Sequence, residues 1–123
     1  QCNIFTFDND ILKSMNKCNI AITRCGASSM AELAYLNIPF IGIPFTFAKD
    51  NHQFYNAKFY EDHDCCWLYE QKDISLNKML DLFNSIIKNP NLYLKKYENL
   101  SKISYEYNWN NVNKKLIDLL DEN

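Results

Sequence analysis

Gly26-Ala27-Ser28-Ser29 is a small-residue turn set between an apolar run and a helical pattern. Small side chains let the backbone approach a ligand closely. The free N–H groups and the positive dipole end of a helix starting there favour an anion such as a diphosphate. Ser28 or Ser29 can cap that helix and also donate to a phosphate oxygen, although an ordinary strand-turn-helix with a serine cap has the same pattern. Glu32 follows Ser28 by four residues. A carboxylate there can accept from two ribose hydroxyls, or simply complement the helix dipole as a capping-box acid. Lys49-Asp50-Asn51-His52-Gln53, with Asn56 beyond, is a dense polar cluster at the start of another helical pattern. Its amides and imidazole suit sugar hydroxyls, and a solvated loop with a helix cap reads the same way.

Other reactive residue types carry less. The five cysteines, Cys2, Cys18, Cys25, Cys65 and Cys66, form no CxxC, and the reading is reduced thiols. His52, His63, Cys65 and Cys66 are zinc-ligating types, but their spacing matches no familiar zinc pattern, so no metal is expected. A net charge of −2 and the lack of a basic block argue against nucleic-acid binding. No apolar run has the length of a membrane span. With 47% hydrophobic residues the 123-residue chain can bury a core as one domain. It opens on Gln1 and contains two glycines, few for a nucleotide-binding α/β protein, and both suggest a piece of something larger.

The elements that must position these clusters follow from periodicity. Residues 3–7 read as a short strand, Asp8-Asn9-Asp10 as turn and N-cap, and Ile11, Leu12 and Met15 as one face of a short helix. Residues 19–23 read as a buried parallel strand, and a helix is expected over 28–36 with Met30, Leu33 and Ala34 inward, ended by Asn37. Residues 39–44 form a strand bracketed by prolines, 52–61 a helix and 65–69 a strand. Residues 75–88 are the clearest amphipathic helix, with Leu76, Met79, Leu80, Phe83 and Ile87 on one stripe, broken by Pro90; helices over 92–104 and 109–120 close the chain. Strands alternating with helices imply an α/β fold with a parallel sheet covered on both faces, in which ligands bind beyond the carboxyl ends of the strands, here after Phe7, Thr23 and Pro44.

Taken together, the clusters resemble the MurG family of glycosyltransferases. Arg24-Cys25-Gly26-Ala27-Ser28-Ser29-Met30-Ala31-Glu32-Leu33-Ala34 looks like that family's small-residue turn and glutamate-bearing helix. Ile38 to Pro44 is similar to its following strand, and Asp50-Asn51-His52-Gln53 with Asn56-Ala57 to its D-x-H-Q-x-x-N-A element. Order and spacing agree over about residues 18–60. Ser28 stands where many members have a larger apolar residue or threonine, and His52 where some have glutamine. The resemblance implies a Rossmann-like parallel sheet with flanking helices, part of the C-terminal, donor-binding domain of a two-domain GT-B transferase. The N-terminal acceptor domain and the first elements of the donor domain are expected outside residues 1–123. It implies inverting transfer of N-acetylglucosamine from UDP-N-acetylglucosamine to a lipid-linked muramyl-pentapeptide in peptidoglycan synthesis, with no cofactor. Carried over by position, Phe7 and Asp8 would meet uracil through backbone groups. Ala27, Ser28 and Ser29, with Gly26, would meet the diphosphate and Glu32 the ribose. His52 and Gln53 would meet the sugar, Asn56 would support their loop, and Arg24 would brace the turn or the diphosphate. No catalytic residue is expected in this stretch, so the chain alone should not turn over substrate. The family places such enzymes peripherally on the cytoplasmic face of the bacterial inner membrane, with membrane contact through the other domain.

Two other readings use the same residues. Diacylglycerol galactosyltransferases and the small donor-binding chain of dolichol-linked chitobiose synthase are related in fold, and the latter carries a similar Asp-x-His-Gln element. The Gly-Ala-Ser-Ser turn and the Asn56-Ala57 continuation favour the MurG family over both. A non-catalytic α/β interaction module would use Trp67, Trp109 and the tyrosines as an interface.

Overall fold

A computed structural model describes residues 2–121. The elements run α1 (Ile11–Met15), β1 (Ala21–Thr23), α2 (Ala27–Tyr35), β2 (Phe40–Gly42), α3 (His52–Asp62), β3 (Cys66–Leu68), α4 (Leu76–Lys88), α5 (Asn91–Glu106) and α6 (Trp109–Asp121). Short 3-10 turns at Lys49–Asn51 and Gln71–Asp73 precede α3 and α4. The strands form a parallel sheet in the order β1-β2-β3. All three carboxyl ends therefore open on one edge, which collects the loops before α2, α3 and α4.

Two faces follow from the register, which aligns Ala21, Phe40 and Cys66 across the sheet, then Ile22, Ile41 and Trp67, then Thr23, Gly42 and Leu68. Side chains alternate along a strand. Phe40 and Cys66 accordingly join Cys25, Met30, Leu33, Ile38 and Ala57 in the main core under α2 and α3. Each large apolar side chain buried there contributes about 1.5–3 kcal/mol. On the opposite face Ile41 is fully buried, and the Lys96 ammonium of α5 lies 4.8 Å from the centre of the Trp67 ring.

α2 forms where Met30, Leu33 and Ala34 recur at helical spacing, and all three are buried. Its end is a Schellman motif: Asn37 takes φ 55°, its N–H donates to the Ala34 carbonyl, and the Ile38 N–H donates to Leu33. α3 ends identically, with Asp64 at φ 55° and the Asp64 and Cys65 N–H groups donating to Glu61 and Tyr60. Both motifs turn the chain directly into a strand, which is why the intervening loops are short. Asp64 then takes both Lys95 and Lys96 at 2.7 Å, fastening α5 to the base of β3.

The structure corrects several expectations. Residues 3–7 are not a strand; they are exposed, and no described residue pairs with them, so their backbone groups have no ladder to join. β1 is shorter than residues 19–23 and is not buried: Ile22 is 56% exposed, and among the described residues β1 pairs with β2 alone. Neither Ser28 nor Ser29 caps α2; the N-cap is Gly26, with no side-chain cap. Glu32 lies beyond the position of a capping-box acid, which here is Ser29. In α4, capped by Ser75 as its sequence suggests, the better-buried line is Met79, Leu82, Phe83 and Ile86, while Leu76 and Ile87 are 75% exposed. One turn of phase decides which apolar stripe faces the protein, and the pattern there allows either.

Candidate functional site

At the carboxyl edge of the sheet, the chain leaves β1 through Arg24 and the buried Cys25, then starts α2 at Gly26. With glycine at the N-cap, no side-chain oxygen occupies the helix end. The first intrahelical bond runs from Met30 N–H to the Gly26 carbonyl at 3.1 Å. The N–H groups of Ala27, Ser28 and Ser29 precede it and have no partner within the helix. They form the open positive end of a nine-residue helix, with Ala27 and Ser28 exposed and Ser29 half-buried. Glu32 lies further along α2, half-buried.

The loop after β2 reaches α3 through an unusual backbone. Asp50 and Asn51 take φ 52° and 54° in succession, the left-handed region that Asp and Asn tolerate better than other side chains. The two residues reverse the chain sharply and set His52 and Gln53 at the head of α3. His52 Nδ1 lies 2.7 Å from the Lys49 carbonyl. A carbonyl can only accept, so Nδ1 carries the proton, and a neutral ring presents Nε2 as an acceptor. Gln53 Oε1 accepts from the Cys25 N–H at 3.1 Å and from the Phe45 N–H at 3.0 Å. One turn on, Asn56 Nδ2 donates to the Cys25 carbonyl at 3.1 Å.

Arg24 joins the third strand end. Its Nη1 donates to the carbonyls of Ile43 and Pro44 at 3.3 and 3.2 Å and to Gln71 Oε1 at 3.0 Å, and its guanidinium lies 5.8 Å from the centre of the Phe45 ring. These contacts tie the chain after β1 to the loops after β2 and β3. Sequence reasoning missed Gln71. The rule that ligand loops follow the carboxyl ends of parallel strands also marks the segment after β3, where Gln71 sits. A cleft of about 420 Å³ lies beside the Arg24 contacts, lined by Ile22, Thr23, Arg24, Ile43, Gln71 and Ile74. A second, of about 310 Å³, lies between α2 and α3 and is lined by Ala27, Met30, Tyr55, Asn56, Phe59 and Tyr60.

The two internal loops are thus brought together, with Arg24, Gly26, Ala27, Ser28, Ser29, His52, Gln53 and Asn56 on one edge. Phe7 and Asp8 are not joined to them by any hydrogen bond or ring contact among the described residues. Phe7 is 79% exposed. The Asp8 carboxylate turns to its own helix, accepting from the Ser14 hydroxyl and the Asp10 N–H, which hold it below the ordinary aspartate value.

Three of the five thiols are buried, and burial pushes Cys25 and Cys65 up to about 11 and Cys66 to about 12. Among the described residues no group of three or more His, Cys, Asp or Glu is placed to hold a metal ion, and no helix is long and apolar enough to cross a membrane.

The chain is similar to known proteins in sequence and in fold. The family profile of the glycosyltransferase family 28 C-terminal domain matches residues 1–109. A Pelagibacter ubique protein named UDP-N-acetylglucosamine–N-acetylmuramyl-(pentapeptide) pyrophosphoryl-undecaprenol N-acetylglucosamine transferase is 43% identical over all 123 residues, which span 35% of its length. A Rickettsia akari protein of the same name is 43% identical over 96 residues, covering 78% of this chain and 25% of the relative. In the crystal structure of Acinetobacter baumannii MurG, 28% of the chain superposes on 81% of this one with a TM-score of 0.72 at 24% identity, which shows a shared fold. The profile match over most of the chain, on a parallel α/β sheet with an open helix end at its carboxyl edge, places this protein in the glycosyltransferase family 28 C-terminal domain family.

Proposed function

We propose that this chain supplies the donor-binding part of an inverting transferase that moves N-acetylglucosamine from UDP-N-acetylglucosamine to a lipid-linked muramyl-pentapeptide. A second domain in the same reading frame carries the acceptor site and the membrane contact, and the enzyme works at the cytoplasmic face of the bacterial inner membrane. The observation that carries this reading is the uncapped N-terminus of α2 beside the His52–Gln53 loop, in a chain 43% identical over its whole length to a transferase of that name.

In such a transfer the acceptor hydroxyl forms a bond to the anomeric carbon from one face of the sugar. The bond from that carbon to the UDP oxygen breaks on the other face, which inverts the centre. The leaving diphosphate gains negative charge as the bond breaks. The N–H groups of Ala27, Ser28 and Ser29, at the positive end of α2, are the groups here that stabilise it; Gly26 contributes by leaving that end open. Glu32 holds the ribose hydroxyls. His52 Nε2 and Gln53 Nε2 face the sugar as acceptor and donor, since each residue's other polar atom is already bonded to backbone. Asn56 supports the loop, Arg24 braces it, and Phe7 and Asp8 meet the uracil through their backbone. The group that removes the acceptor proton lies outside this chain, so the chain alone does not turn over donor and acceptor.

Titration calorimetry of the full reading frame with UDP and UDP-N-acetylglucosamine tests the reading. Micromolar to millimolar binding that Glu32→Ala weakens by about tenfold is expected from loss of a charge-assisted bond. Absence of binding to either ligand would sink it.

A further inference from the structure

We propose that Gln53 is a positioning residue for the anion-binding turn, clamping it to the sugar-side loop through an oxygen that donor never touches. The inference rests on the donor-site reading above. An amide oxygen has two lone pairs, and both are occupied here, by the N–H groups of Cys25 and Phe45. Because each of those groups is a donor, the atom between them must be oxygen, and the orientation of the amide is settled by its partners. The Cys25 peptide lies just beyond the last bond between β1 and the chain after β2, in which Ile43 N–H donates to Thr23. No strand continues beside it. Instead α3 supplies both partners, Gln53 Oε1 for the N–H and Asn56 Nδ2 for the carbonyl. Cys25 is fully buried, so its peptide groups have no solvent to fall back on.

The consequence is a coupling between two subsites. Gly26 and the open end of α2 follow the clamped peptide directly, so the position of the phosphate-side N–H groups depends on a side chain at the head of α3. The same Oε1 holds Phe45, where the loop leading to His52 begins. Gln53 can meet a sugar only through its Nε2 hydrogens, hence only at an acceptor oxygen. A residue that merely touched the sugar would leave binding of UDP alone untouched.

That difference is the test. Gln53→Leu keeps the volume and removes the acceptor. In the full reading frame it should weaken UDP about tenfold or more, and UDP-N-acetylglucosamine by at least that factor, because the sugar-side Nε2 is lost with the clamping oxygen. His52→Ala, which removes a sugar-side group without disturbing the Cys25 peptide, should weaken only the sugar-bearing ligand. Amide exchange reads the clamp without relying on a variant: in the wild type the Cys25 and Phe45 N–H groups should be protected although they lie outside the strand ladder. Unchanged UDP affinity in Gln53→Leu, or exchange at bulk rates at both amides in the wild type, overturns the inference while leaving the donor site intact. A wild-type protein that binds neither ligand removes the donor-site reading and this inference together.

Discussion

Replacing Gly42 by alanine should destabilise the protein, and removing the sulfur of Cys25 should reverse the effect. Gly42 ends β2 on the core face, where an added Cβ would sit 3.0 Å from Cys25 Sγ, 3.5 Å from Ala57 Cβ and 3.6 Å from Phe40 Cε2. Contacts between nonbonded carbons are best near 3.5–4.0 Å, so the last two are comfortable and the first is short by roughly 0.5 Å. Cys25 is fully buried and packed into the main core, so its sulfur cannot swing aside freely. Overpacking of this kind costs about 1–3 kcal/mol. Alanine in place of glycine within a strand returns roughly 0.5–1 kcal/mol. Gly42→Ala alone should therefore lose up to about 2.5 kcal/mol, and about 1 kcal/mol at mid-range. Cys25→Ala alone should lose about 1 kcal/mol, the transfer of one buried heavy atom with a small void. In the double variant the new Cβ fills that void, the clash is gone and the strand gain remains. Its stability should match or exceed that of Cys25→Ala, a coupling of at least about 1 kcal/mol. Urea denaturation of the four proteins measures the cycle. Effects that add within about 0.3–0.5 kcal/mol would refute the reasoning. Because the Cys25 peptide precedes Gly26, UDP affinity should fall in Gly42→Ala and recover in the double variant.

Asn37 holds φ 55° at the end of α2, and its Oδ1 is buried without a hydrogen-bond partner among the described residues. Asn37→Gly should thus stabilise by about 0.5–1 kcal/mol, since glycine meets the left-handed backbone freely and no acceptor is left unpaired, whereas Asn37→Ala should cost about 1 kcal/mol; a stabilising alanine in thermal melts would contradict this. Lys95 and Lys96 hold the Asp64 carboxyl below its ordinary value of 3.8. A depressed carboxylate contributes stability above its unfolded value and loses it as the pH falls through the folded one, so Lys96→Met should flatten the acid limb of stability below about pH 4. The neutral-pH loss should be about 1–2 kcal/mol, less than for a fully buried pair because Asp64 is 42% exposed, and an unchanged acid limb would exclude the linkage. Cys25, Cys65 and Cys66 are buried, with thiols raised to about 11–12, while Cys2 and Cys18 are exposed. A thiol reagent at pH 8 should therefore label two groups quickly and three only on unfolding, and five fast thiols would refute that burial.

Local patterns in the chain were enough to place most elements. Met30, Leu33 and Ala34 announce the buried face of α2, Asn37 its end, the prolines at 39 and 44 the limits of β2, and Ser75 the start of α4. These signals are local because helices and strands impose short periods and caps act over three or four residues. The motifs around Gly26 and His52 were also legible, as was their order along the sheet edge.

Tertiary structure decided everything that depends on a distant partner. Residues 3–7 have the composition of a strand but no described neighbour to pair with, and a strand is defined by its neighbour. The apolar runs in β1 and α4 are real, yet whether Ile22 or Leu76 is covered depends on what lies across from them. Gln53 looks like a sugar ligand in the motif. Only the approach of α3 to the end of β1, 28 residues earlier in the chain, shows its oxygen committed to Cys25. The Arg24–Gln71 bond joins residues 47 apart, and no spacing rule reaches so far. Periodicity is a property of the nearby backbone; the assignment of each polar atom to a partner is settled only when all three strand ends are brought to one edge.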